Sequence, residues 1–265
     1  RGKDHITNTE RQKYLYGVMD WKIPEFIHIG RINFTGLKLS TTQTRKAIEE
    51  GKYLGWDDVR LPFLRAFKKR GYKPEAFRKF VTLVGPSPAD KTVSFESFMK
   101  TINSYNKELI DPIAPRYFFV SKPTKIKITG IKNTKIEAPK HPDNKKLGTR
   151  MLVKTEELYI SKDDSEKIKK GVSVRLKYLG NIHFTTANKA ESKGNELVKD
   201  IPIIQWVSTT VNVPVKLIMP NGKKLIGFSE PALKDIIDSV VQFERVGFAR
   251  VVKEGKDIVA YMLHK

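Results

Sequence analysis

The sequence predicts a mixed α and β, multidomain protein. Apolar side chains recur at helical spacing through much of residues 1–111, and short β-branched or aromatic runs take over after Pro112 and Pro115. At 265 residues the chain exceeds a typical single domain, so two or three cores are expected. A third observation bears on the partner: Lys and Arg number 50 against 29 acids, a formal net charge of +21. A thermophile's charged surface raises both signs together and would not leave such an excess. A polyanion is therefore the expected partner, nucleic acid first.

Composition also excludes. There is no cysteine, hence no disulfide framework, zinc–thiolate cluster or thiol nucleophile, and no metal site is expected. No apolar run approaches membrane-spanning length, and Arg1-Gly2-Lys3-Asp4-His5 is no signal peptide, so the expected setting is cytoplasmic, with no membrane partner. Without an initial Met, the chain reads as a piece of a longer protein.

Residues 7–19 (TNTERQKYLYGVM) carry Tyr14, Leu15, Val18 and Met19 at helical spacing, with Thr7 and Glu10 spaced as a capping box. Residues 25–32 (EFIHIGRI) follow Pro24 and predict a buried strand in which His28 is packed. The stretch 36–70 then joins a loop of Lys and hydroxyl side chains to a basic helical segment. Lys38, Ser40, Thr41 and Thr42 offer one cation and three hydroxyls within a turn. Thr42 or Thr44 caps a helix reaching Glu49, whose opening N–H groups favour an anion. The same residues serve equally as an ordinary polar loop and helix cap.

Between residues 61 and 111 three helical segments succeed one another, broken at 71–74 and 85–90. The middle one opens on Pro74 and spaces Phe77, Phe80, Val81 and Val84 helically. Arg65, Lys68, Lys69, Arg70, Lys73, Arg78 and Lys79 repeat on the polar side. Given the whole-chain charge, they read as a face for a phosphate backbone.

Strand-like runs follow at 116–121, 124–129, 150–154, 172–179, 202–207, 213–219, 223–228, 240–252 and 257–263. Pro220-Asn221-Gly222 marks a hairpin turn. Many short strands with turn signals predict one or two antiparallel barrels rather than a βαβ sheet. Residues 165–170 read as a helical turn and 187–195 as a polar connection.

Five segments carry a resemblance in their order and spacing: GWDDVRLPFLRAFKKRGYKPEAF, KHPDNKKLGTR, VSVRLKYLGNI, IIQWVS and GFSEPALKDIIDSVVQFERVGFARV. They resemble the class I tRNA synthetases of the glutamyl/glutaminyl subfamily that bind the anticodon with β-barrels. The opening RGKDHITNTERQKYLY is similar to the archaeal-type glutamyl members. The resemblance implies a remnant of a Rossmann-like catalytic domain (1–43), a helical stem-contact region (44–111) and two antiparallel β-barrels (112–265). The proximal barrel is expected over 112–149 plus 229–265 and the distal one over 150–228.

It also implies roles. Arg1 would pair with substrate glutamate, and Asp4 and His5 would approach the adenosine ribose. Lys38, Ser40, Thr41 and Thr42 resemble the Lys-Met-Ser-Lys-Ser loop, with Lys38 on the ATP phosphates and an electrostatic catalytic role. Thr41 stands where that pattern has its second lysine, so Arg45 or Lys46 would have to reach back. Lys68 and Lys69 fall on the stem-contact scaffold, and Arg116, Lys167, Arg175, Gln242 and Arg245 where the family touches anticodon bases. Trp206 reads as a stacking ring or, more commonly, as core.

The implied cofactors are ATP and Mg²⁺ in the complete enzyme, and the implied partners are tRNA, glutamate and the missing amino-terminal half. His28-Ile29-Gly30 lies too close to the loop to be the family's His-Ile-Gly-His element, so the chain alone is not expected to form glutamyl-adenylate. A stand-alone tRNA-binding module of the same ancestry and a generic basic β-barrel RNA-binding protein are the alternatives.

Overall fold

The computed structural model describes residues 1–37 and 40–265, and divides the chain into two compact units. One is Arg1–Tyr53 with Lys73–Glu108; the other is Leu54–Tyr72 with Leu109–Lys265.

In the first unit the opening residues pair in parallel with the segment after helix α1 (Ile6–Val18). The Arg1 amino terminus donates to Ile27 O, Ile29 N to Arg1 O and Lys3 N to Ile29 O, each at 2.9 Å. A second parallel pair joins Ile32–Thr35 to Lys91–Ser94. Parallel pairing across a helical crossover is the grammar of doubly wound sheets, as a Rossmann-like remnant requires.

Two local expectations fail here. The capping box on Thr7 does not form: His5 occupies the N-cap without a side-chain bond, and buried Thr9 makes the anchoring contacts, to His5 O at 3.1 Å and His28 Nε2 at 2.9 Å. The buried strand over 25–32 is also not formed: the ladder starts only at Ile32, and apolar side chains before it stay uncovered among the described residues. Ile27 is 59% exposed and Ile29 43%. Tyr14, Leu15 and Val18 of α1, and Met19 just after it, are likewise exposed.

Helix α2 (Thr41–Glu49) is capped by Ser40, whose Oγ accepts from Gln43 N at 3.3 Å, rather than by Thr42 or Thr44. The three expected helices are α3 (Leu64–Arg70), α4 (Pro74–Val84) and α5 (Phe95–Ile110). Gly71 ends α3 in the left-handed conformation at φ 101°. Phe80 of α4 and Phe34 pack edge-on against Phe98 of α5, at centroid distances of 4.9 and 5.0 Å. The lead-in to α3, and α3 itself, belong to the second unit, whereas α4 belongs to the first.

The second unit holds two seven-stranded sheets among the described residues. One runs Ile203–Ile204, Ser173–Leu176, Gly180–Phe184, Lys189–Ser192, Pro123–Thr129, Glu157–Ser161 and Val207–Ser208. The other runs Arg116–Tyr117, Ser239–Phe243, Gly247–Glu254, Asp257–Met262, Val213–Ile218, Lys224–Ser229 and Phe119–Ser121. In each sheet the two outer strands are neighbours in sequence, separated only by Gln205-Trp206 or by Phe118, so a bent strand serves both edges and the sheet curls towards a barrel. Each sheet is mainly antiparallel, with two parallel pairings among the described residues.

Strand alternation explains how one segment serves two cores. Tyr117 and Phe119 point into the core of the second sheet, while Phe118 and Val120 point into the core of the first. The hairpin 213–229 turns at Gly222 as expected, and it pairs within the second sheet, with Asp257–Met262 and Phe119–Ser121. Strand hydrogen bonding therefore divides the barrels between residues 208 and 213. The expected helical turn sits earlier, at Lys162–Ser165, where the Ser161 hydroxyl caps Asp164 N. The supposed polar connection contains the strand Lys189–Ser192, held by backbone ladders on both sides, with only Ala190 buried. The hairpin Thr134–Pro139 with Thr149–Lys154 completes the unit.

Candidate nucleic-acid interface

The residues expected at the anticodon fall into distinct settings within the second unit. Arg116 and Gln242 are cross-strand partners in the short parallel ladder that joins 116–117 to 242–243. Gln242 N donates to Pro115 O at 3.0 Å and Glu244 N to Tyr117 O at 3.0 Å, so backbone bonds fix where both side chains emerge. The Gln242 carboxamide has no hydrogen-bond partner among the described residues, and the Arg116 guanidinium lies 3.5 Å from Asp111 with its Nε unpaired. Both side chains therefore keep unused capacity for hydrogen bonds.

Arg245 sits at the turn between Ser239–Phe243 and Gly247–Glu254, with φ at 62°. Its guanidinium is held from one side: Nη2 donates to Asp164 Oδ1 at 2.8 Å, Nη1 to Asp164 Oδ2 at 3.0 Å and to Gln205 Oε1 at 3.3 Å. Asp164 is fixed in turn by the Ser161 hydroxyl at 2.7 Å. Lys167 lines the same cavity as Arg245, of about 190 Å³, and its exposed ammonium has no partner among the described residues. Two cations thus face a small polar hollow floored by Asp164 and Gln205.

Arg175 is placed differently. Its Nη1 donates to Asn181 Oδ1 at 2.8 Å, Asn195 O at 3.2 Å and Glu196 O at 3.1 Å, and Nη2 donates to Asn195 O. That guanidinium ties a loop to the strand Ser173–Leu176, and it does not line the Arg245 cavity. Trp206 is core: it is 1% exposed and its indole N–H donates to Lys177 O at 2.9 Å.

A separate basic hollow of about 430 Å³ lies between α3 and the hairpin 247–262. Adjacent lysines differ there. Lys69 is bound to Asp57 at 2.9 Å and lies over the Tyr261 ring at 5.2 Å, whereas Lys68 is exposed and unpaired among the described residues. Arg65 and Lys253 share the hollow, also exposed and without a partner among the described residues. Arg70 leaves the expected cationic row altogether: it is buried, and its guanidinium donates to Met262 O at 2.8 Å and to Leu263 O.

In the first unit Arg1 donates to Gln12 Oε1 at 2.7 Å and stacks its guanidinium over Phe26 at 4.9 Å. Asp4 approaches Arg31 at 3.5 Å and His5 at 3.7 Å; a backbone hydrogen bond first, with Arg31 adding to it, holds its carboxyl below the usual range. Ser40 caps α2, Thr41 and Thr42 form its exposed first turn, and Lys38 lies outside the described residues. No group of three or more His, Asp or Glu side chains among the described residues is arranged to hold a metal ion.

Sequence reasoning missed Asp164 as the holder of Arg245, and the buried charges Arg150, Glu230 and Glu244. One signal was available: Arg150 occupies an inward position of its strand, two residues from buried Leu152.

Comparison with known proteins adds an independent line. Models of the class I tRNA synthetases (E and Q) match in order, the catalytic domain over residues 1–112 and the anti-codon binding domain over 114–201 and 203–252. The glutamate–tRNA ligase of Methanocorpusculum labreanum is 41% identical over 271 residues, that of Pyrococcus horikoshii 39% over 278, and that of Methanosarcina mazei 37% over 273. These alignments take in 100% of this chain and 47%, 48% and 47% of the relatives. The chain spans about half the length of the curated relatives it matches.

Proposed function

Because this chain belongs to the class I tRNA synthetases of the glutamate and glutamine group, we propose that it is the carboxy-terminal, tRNA-binding part of a glutamate–tRNA ligase. The observation that carries this reading is the pairing of Arg116 with Gln242 across one ladder, together with Arg245 and Lys167 in one polar hollow. Donors held by backbone register and by a carboxylate suit the edges of splayed, unpaired bases. The basic hollow with Arg65, Lys68 and Lys253 suits phosphates, which position the RNA without reading it. Arg175 would have to give up loop carbonyls to reach a base.

On the chemical side, Arg1 would take the glutamate carboxylate by bidentate pairing, and Asp4 and His5 would lie near the adenosine. ATP would supply the activating phosphoanhydride in the complete enzyme, with Mg²⁺ entering on its phosphates. Ser40 is committed to capping, so Lys38, the Thr41 and Thr42 hydroxyls and the opening N–H groups of α2 would face phosphate charge. The work would be done in the cytoplasm.

The uncovered parallel pairing, with Ile27 and Ile29 exposed, favours a part of a longer enzyme over a stand-alone module, since parallel sheets are ordinarily covered on both faces. Glutamate-dependent ATP–pyrophosphate exchange tests this. It should be undetectable for the 265-residue chain and appear once the upstream half is supplied; exchange by the chain alone would contradict the reading.

A further inference from the structure

Arg150 is fully buried and draws three separate segments together. Its Nε donates to Glu230 Oε2 at 2.8 Å, its Nη1 to Pro139 O, and its Nη2 lies 3.5 Å from Glu244 Oε1. The rings of Tyr117, Phe118 and Tyr178 surround the guanidinium at 5.7, 5.3 and 5.7 Å. Glu230 also accepts from Phe118 N at 2.8 Å, and the other oxygen of Glu244 accepts from Lys177 Nζ. Arg150, Glu230 and Glu244 are buried, and the Lys177 side chain, 32% exposed, joins them from Glu244.

The partners of this cluster are chain neighbours of the proposed base readers. Tyr117 follows Arg116, and Glu244 lies between Gln242 and Arg245, with its N–H bound to Tyr117 O. The ladder that aligns Arg116 with Gln242 is only two residues long, so the backbone bonds that set its register are few and gain from further specification. A buried ion cluster with fixed directions can supply that specification, the best-attested use of such clusters.

We propose that Arg150 is a positioning residue for anticodon reading, locking the strand of Arg116 to the strand of Gln242 and the turn of Arg245 that follows it. This rests on the function proposed above. A planar guanidinium hydrogen-bonds Glu230 and Pro139 O while its Nη2 stays within ion-pair distance of Glu244, whereas a lysine ammonium is a point charge on a flexible stem and cannot reach all three. Nothing in the cluster needs to touch RNA. Its loss should therefore leave backbone attraction intact and blur the reading of bases.

The test measures Arg150→Lys and Glu244→Gln beside the wild type, each for Tm and for affinity to a glutamate anticodon stem-loop and an anticodon-swapped one across a salt series. Both variants should bind the matched RNA about tenfold more weakly while the swapped RNA changes less than about twofold, with the salt slope unchanged. If Arg150→Lys does not fold, Glu244→Gln carries the same expectation. A lowered Tm with an unaltered preference between the two RNAs would make the cluster structural only and overturn the proposal. A wild type that shows no preference would instead remove the functional reading on which the proposal stands.

Discussion

Arg245 and Asp164, 81 residues apart in sequence, form a two-pronged ion pair at 2.8 and 3.0 Å. The carboxylate takes one hydrogen from each terminal nitrogen and Gln205 takes the second from Nη1, leaving one Nη2 hydrogen and Nε–H without a partner among the described residues. Asp164 is 10% exposed on its side chain against 45% for Arg245, so the acid acts as a fixed support for a guanidinium at the surface.

The pair predicts a non-additive cycle. Arg245→Ala should cost about 1–3 kcal/mol of matched anticodon binding and much less with a swapped anticodon. Asp164→Ala should lose part of the same preference, and the double variant should be no worse than Arg245→Ala. Additive losses in titrations of all three variants would mean that Asp164 acts independently of Arg245.

Lys68 and Lys69 should separate. Lys68→Ala should weaken every tRNA about equally and lower the salt slope by roughly one unit. Lys69→Ala should change that slope less, because its ammonium is already paired with Asp57. Equal slopes for the two variants would rule out the distinction drawn from their partners.

Asp58 should hold the lead-in of α3 in place. Its carboxylate accepts from Leu54 N and Arg60 N at 3.0 Å and from the Arg60 guanidinium at 2.9 and 2.7 Å. Arg60 first, then these N–H groups, hold its carboxyl well below the usual value of 3.8. A depressed carboxyl stabilises the fold fully above its unfolded value, so this contribution should fade as pH falls below 3.8. Asp58→Asn should cost about 2 kcal/mol at neutral pH in denaturant titrations, and an unchanged midpoint would contradict the assignment.

Glu230 has the opposite sign. Burial pushes its carboxyl up from 4.5 to about 7, against the lowering by Arg150 and Phe118 N–H. The fold then keeps a proton that the unfolded chain has lost, so this group penalises folding progressively from pH 4.5 to about 7. Glu230→Gln cannot titrate and should flatten that decline. Parallel Tm-versus-pH curves for the two proteins would contradict it.

What could be read from the sequence was whatever local chemistry decides. Gly71 and Pro74 break the helices, Gly222 turns its hairpin, and Trp206 lies in the core, each for reasons contained in a few neighbouring residues. The fates of charged side chains were not legible in that way. Arg65 and Lys68 stay at the surface while Arg70 is drawn inside by the carbonyls of Met262 and Leu263, partners 192 and 193 residues away. Arg175 and Arg245 looked alike as strand-region cations, yet one binds its own loop and the other faces a hollow. The strand Lys189–Ser192 escaped notice because its polar side chains give no alternation; its neighbours' backbone groups create it.

The central claim is that residues 109–265, with α3, hold tRNA and read its anticodon. The most direct measurement is the dissociation constant of the wild-type chain for a glutamate anticodon stem-loop and for one with swapped anticodon bases, from low to physiological salt. Affinity should fall steeply with salt for both RNAs, with a log–log slope of roughly several phosphates. The matched RNA should stay tighter throughout, by about 1–3 kcal/mol for each base that is read. A flat salt response would remove nucleic acid as the partner. Steep but identical curves would leave a chain that grips RNA without reading it, contradicting the roles given to Arg116, Gln242 and Arg245.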